Sequence, residues 1–89
     1  MKESDIQASI LKYVKAIGGF TFKVMTANTS GIPDVICCIN GKFVALEIKL
    51  PGKNATELQK YKISEIQKAG GIASVVTSLD GAKEILNSL

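Results

Sequence analysis

The chain has 89 residues, 46% of them hydrophobic, and its eleven lysines, no arginine and eight acids leave a formal charge of +3. Such a length makes one domain, residues 1–89, near the small end for burying its own core, and the composition is too apolar for disorder. The absence of histidine excludes Ser-His and Cys-His nucleophile arrangements, so a general base near neutral pH must be a carboxylate, a shifted lysine or metal-bound water.

Residues from about Glu3 to Ile17 read as an amphipathic helix, because Ile6, Ile10, Val14 and Ile17 recur at helical spacing before Gly18-Gly19. Glu3, Gln7, Ile10 and Val14 share a stripe, which puts Glu3 at the polar end of the buried face. A first-turn Glu also simply favours the positive end of the helix dipole. Phe20 to Met25 reads as a strand with Phe20, Phe22 and Val24 on one face. The polar turn Asn28-Thr29-Ser30-Gly31 then leads to Pro33; its hydroxyls and N–H groups suit phosphate, and a plain loop would look the same.

Asn40-Gly41 between two apolar, β-branched runs is the strongest short-range signal of a hairpin closed by a type I′ turn. Centring the turn there pairs Ile39 with Lys42, Cys38 with Phe43, Ile36 with Ala45 and Asp34 with Glu47. Opposed residues share a face with Cβ atoms about 4.5–5.5 Å apart. Lys49, two residues beyond Glu47, points the same way. Two like charges about 5 Å apart repel by roughly 3 kcal/mol at an effective dielectric of about 20. A divalent cation held by oxygen ligands would relieve this, and Lys49 would do so in part. Beside the charged trio the near face carries Ile36, Cys38, Phe43 and Ala45. The far face carries Val35, Cys37, Ile39, Val44, Leu46, Ile48 and Leu50. Both are apolar, so helices are expected on two sides of the sheet. Cys37 and Cys38 point to opposite faces and read as small buried hydrophobes in a reducing compartment. No histidine or further cysteine completes a soft metal site.

Pro51-Gly52-Lys53-Asn54 breaks the chain. Asn54 to Glu57, or Thr56 to Gln59, forms a capping box for a second helix running to about Ala69. Gln59, Ile63 and Ile66 lie on its sheet-facing stripe, and a buried-facing Gln needs partners, be they a loop backbone or a polar site. Gly70-Gly71 precedes a strand from Ile72 to Thr77, parallel to its predecessor through a βαβ crossover. Ser78 caps a last helix carrying Leu79, Ala82, Ile85, Leu86 and Leu89. The order is αβββαβα, an α/β domain with a mixed four-stranded sheet and helices on both faces.

Gly31-x-Pro33-Asp34, twelve residues, then Glu47-x-Lys49 resembles the signature of the PD-(D/E)XK nuclease superfamily. Within it the chain resembles the small VRR-NUC domains, including the stand-alone kind found in phages, over nearly its whole length. The resemblance implies a restriction-endonuclease-like core and a metal-dependent DNA endonuclease acting on branched, flap or Holliday-junction DNA in repair. It implies Mg²⁺ or Mn²⁺ held by Asp34, Glu47, the Ile48 carbonyl and Glu3, the last directly or through water. Lys49 would orient or deprotonate the attacking water, and Gln59 would hold Lys49 or that water. Contacts to DNA are expected from Asn28, Thr29, Ser30, Gly31 and Lys53. The rival readings are a non-catalytic nucleic-acid-binding module or accessory subunit of a replication or repair complex, and a metal-free α/β protein in which the trio is an edge ion cluster.

A chain this short carries one site, and coordinated cutting of two strands needs two. With Ile85, Leu86 and Leu89 at the last helix, and more apolar surface than four strands bury, a symmetric homodimer is expected. The first or last helix or the open sheet edge would form its interface. The N-terminus lacks a signal-peptide layout and no apolar run approaches the roughly 20 residues of a membrane span, so a cytoplasmic protein without membrane contact is expected.

Overall fold

A computed structural model describes residues 1–89. Its elements are α1 (Glu3–Ala16), β1 (Phe20–Lys23), β2 (Val35–Ile39), β3 (Lys42–Ile48), α2 (Glu57–Lys68), β4 (Ile72–Val76) and α3 (Leu79–Leu86). The sheet order is β1-β2-β3-β4, with the first two pairings antiparallel and β3–β4 parallel. This is the expected αβββαβα arrangement.

Asn40 and Gly41 carry φ of 52° and 76°, as a type I′ turn requires, and the turn fixes the register. Ile39 pairs with Lys42, Cys38 with Phe43, Ile36 with Ala45 and Val35 with Leu46. A one-residue slip would turn every apolar side chain to the wrong face, so two covered faces hold this register firmly.

Far-face residues Val35, Cys37, Ile39, Val44, Leu46 and Ile48 merge with Ile6, Ile10 and Val14 of α1 and Ala82 and Leu86 of α3 into the main core. On the near face a smaller cluster joins Ala45 and Ala73 to Ile63 of α2, with Ile36, Ile66 and Val75 packed around it. Thr56 caps α2 and Ser78 caps α3, each accepting a backbone N–H from three residues on. No helix is long and apolar enough to cross a membrane.

Three expectations need correction. Cys37 is buried, but Cys38 is exposed, because α2 lies over β3 and β4 and leaves the β1–β2 half of the near face bare. Phe20 and Phe22 are exposed for the same reason, at 69% and 47%. The last helix does not supply the spare apolar surface: Leu86 is buried, and Ile85 and Leu89 pack against the main core.

Candidate active site

The hairpin register brings Asp34, one residue before β2, beside Glu47 of β3. Asp34 Oδ2 accepts the Ile48 N–H at 2.9 Å, so this carboxylate is held by backbone. The Glu47 side chain is 3% exposed. Its Oε2 accepts from Gln59 Nε2 at 3.3 Å and lies 3.8 Å from Lys49 Nζ. Its Oε1 is buried and has no hydrogen-bond partner. Burial first, then the charge of Asp34, push the Glu47 carboxyl from 4.5 up to about 8; Lys49 pulls it down and Glu3 adds a smaller upward push. At neutral pH the folded protein therefore favours the protonated form of Glu47.

Gln59 reaches Glu47 because its other atoms are committed at the helix start. Its Oε1 accepts the Thr56 N–H at 2.8 Å, and its own N–H donates to Thr56 Oγ1 at 3.2 Å. The capping box and the link to the site are thus one arrangement. Gln59 thus meets Glu47 and makes no hydrogen bond to Lys49, one of the two partners that the family resemblance implies for it.

Glu3, the half-buried first residue of α1, is near enough for its charge to act on Glu47. It does not complete a tight acidic triad, since no group of three or more His, Cys, Asp or Glu side chains converges in a metal-holding arrangement. Asp5 is spent on the helix start, where its Oδ2 accepts the Lys2 N–H at 2.9 Å. Gln7 was not singled out as a site residue. It is 7% exposed, with Oε1 buried and unpartnered, one helical turn from Glu3. Its signal was a glutamine on an otherwise apolar stripe.

Asn28, Thr29 and Ser30 form an exposed loop leading to the site, and Lys53 is exposed in the turn after Lys49 and Leu50. Gly31 is different. Its φ is 81°, and a Cβ there would meet Leu58 Cγ at 2.8 Å and the Leu58 carbonyl oxygen at 3.0 Å. It presses the loop that carries Asp34 onto the first turn of the helix that carries Gln59. Gly31→Ala combines a disfavoured φ with a backbone clash, so we expect it to cost roughly 2–3 kcal/mol. Denaturant unfolding checks this, and a loss under about 0.5 kcal/mol would show that the approach is not needed.

The site suits a hard divalent ion on two observations: the unpartnered Glu47 Oε1, and two acids in mutual repulsion. One or two carboxylates with backbone and water oxygens are what Mg²⁺ takes, and oxygen donors also suit Mn²⁺. A concavity of about 450 Å³ lies elsewhere, between the turn end of the hairpin and the C-terminal end of α2, lined in part by Phe43, Ile66 and Gly71.

No family model matches the chain. Over 81 residues it is 28% identical to "Putative nuclease p44" of Acyrthosiphon pisum secondary endosymbiont phage 1, covering 90% of this chain and 87% of that protein. Among solved structures, a "VRR_NUC domain" superposes with a TM-score of 0.84 at 22% identity, covering 96% of this chain and 94% of the other. A "VRR_NUC domain protein" gives 0.80 at 20% identity, covering 99% and 87%. Hjc, a Holliday junction resolvase from the archaeal hyperthermophile Archaeoglobus fulgidus, gives 0.62 at 17% identity, covering 81% and 64%.

Proposed function

We propose that this chain, which has the VRR-NUC fold, is a metal-dependent endodeoxyribonuclease that hydrolyses phosphodiester bonds in branched DNA. The observation that carries the reading is the buried Glu47 carboxylate, one oxygen unpartnered, set against Asp34 with Lys49 alongside. A metal-free structural cluster gains nothing from setting a second acid, Asp34, against the buried Glu47.

Asp34 and Glu47 are the residues that would hold Mg²⁺ or Mn²⁺, with the Ile48 carbonyl and, through water, Glu3. Such an ion supplies positive charge against the phosphodiester and acidifies water. Gln59 fixes the Glu47 carboxylate by its 3.3 Å bond to Oε2. Lys49, its side chain 17% exposed and its ammonium 3.8 Å from Glu47, would orient the attacking water and offset negative charge as the phosphorus–oxygen bond breaks. The exposed Asn28–Ser30 loop and Lys53 would take neighbouring phosphates. Coordinated cuts across a branch need two such sites, which two copies of the chain supply.

The test incubates the purified protein with plasmid, flap and four-way junction DNA in Mg²⁺, Mn²⁺ or EDTA. Cleavage in the metal lanes with preference for the branched substrates is expected. Binding without cleavage in any lane would make the protein a non-catalytic module, and neither binding nor cleavage would remove DNA from its function. For Lys49→Ala we expect a rate at saturating DNA reduced by roughly 100-fold or more, with metal affinity little changed. A variant cutting at near wild-type rate takes Lys49 out of the reaction.

A further inference from the structure

We infer, on the footing of the metal reading above, that Gln7 is a positioning residue of the same site: its side-chain oxygen accepts a hydrogen bond from a water of the ion's shell, on the side of α1. Two buried side-chain oxygens lack a hydrogen-bond partner in the protein, Glu47 Oε1 and Gln7 Oε1. The first belongs to the acidic pair. The second lies on α1 at 7% exposure, in the stripe that runs from Glu3 through Gln7 and Ile10 to Val14.

A buried carbonyl oxygen without a donor is a net cost to folding, and an apolar side chain of the same length removes that cost. The other buried residues on this face of α1, Ile6, Ile10 and Val14, all belong to the main core. Packing alone would therefore be served by leucine or methionine at position 7. The Gln7 oxygen needs a donor that the chain does not supply.

Glu3 indicates where that donor stands. Residues four apart on a helix are neighbours, about 5–6 Å between Cβ atoms, so Gln7 adjoins Glu3, and the charge of Glu3 reaches Glu47. Yet Glu3, Asp34 and Glu47 do not grip one ion together, since no three acids converge. The interval between α1 and the acidic pair is one for water to fill, and Mg²⁺ keeps several waters while binding one or two carboxylates. Those waters are donors, and the free oxygens of Glu3, Gln7 and Glu47 all accept. The two donors at hand, Lys49 Nζ and Gln59 Nε2, are both directed at Glu47 Oε2. A neutral amide also orients a bound water without adding a further negative charge where Asp34 and Glu3 already oppose that of Glu47.

Titration calorimetry with Mg²⁺ and Mn²⁺ on the full chain, set beside melting curves in EDTA, tests this without DNA or cleavage. Gln7→Met keeps the length and helix preference of the side chain and deletes the acceptor. It is expected to melt in EDTA at or above the wild-type temperature and to bind the ion about 10–100-fold more weakly. Gln7→Glu, which keeps an acceptor, is expected to bind at least as tightly as wild type. An ion bound equally by wild type and Gln7→Met is what a glutamine serving only the core would give; it leaves the acids in place and overturns the role of Gln7. In isotope-labelled wild type, the side-chain carbonyl resonance of Gln7 is expected to move when Mg²⁺ is added, while that of Gln67, whose amide donates to the Ala73 carbonyl at 2.9 Å, stays. A Gln7 resonance that also stays overturns the inference even where Gln7→Met does not fold. Wild-type protein that binds neither ion would sink the metal reading itself, and the role of Gln7 with it.

Discussion

Asp34→Asn and Glu47→Gln are each expected to cut the cleavage rate by about 1,000-fold or more while leaving the metal-free fold at least as stable as wild type. The two halves of this expectation have one cause. Asp34 and Glu47 oppose each other across the hairpin, and Asp34 raises the Glu47 carboxyl by its charge. Neutralising either removes a repulsion that Lys49 offsets only in part. The local geometry survives both changes: the Asn side-chain oxygen can still accept the Ile48 N–H that now reaches Asp34 Oδ2 at 2.9 Å, and a Gln at 47 still offers an acceptor to Gln59. Rates on junction DNA in Mn²⁺, set beside melting curves in EDTA at pH 8, check the pair. If both variants lose many degrees in EDTA, the acids are structural partners and the metal reading fails.

The hairpin was legible in the sequence because Asn-Gly demands one turn type and that turn dictates every pairing beyond it. Asp34 and Glu47 could be placed together from their numbers alone. The Thr56–Gln59 capping box was equally plain, since both of its residues are local. Less legible was the partner of Gln59. Its direction depends on how α2 crosses the sheet, which the stripe of Ile63 and Ile66 leaves free over several ångströms. For that reason the bond to Glu47 came as a finding of the structure. The same crossing decides which cysteine is covered. Alternation along β2 separates Cys37 from Cys38 correctly, but only the reach of a 12-residue helix across two of four strands tells that Cys38 has nothing above it. Gly31 illustrates a third limit. A Gly before Pro reads as a turn residue or a phosphate-binding backbone, and nothing local reveals that Leu58, far along the chain, would strike a Cβ there.

Without metal the protein is expected to lose stability as pH rises from about 5 to about 8, the reverse of ordinary acid denaturation. The sign follows from Glu47. Its carboxyl titrates near 4.5 when unfolded and is pushed up to about 8 when folded, by burial first and by Asp34 second. Below the unfolded value both states hold the proton, and the folded state has its full stability. Between the two values the folded protein keeps a proton that the unfolded chain releases, so stability falls with each increment of pH, and above the folded value it falls no further. A displacement of this size corresponds to roughly 3–5 kcal/mol, or a drop of about 15 °C or more in the melting temperature of a domain this small. Melting curves in EDTA at pH 5, 6.5 and 8 measure it, and Glu47→Gln, which cannot titrate, should flatten the trend. Saturating Mg²⁺ or Mn²⁺ should recover the loss at pH 8 in wild type and not in that variant, because the ion competes with the proton for the same oxygens. An equal slope in wild type and Glu47→Gln would trace the pH dependence to other groups and leave the buried acid without its assigned role.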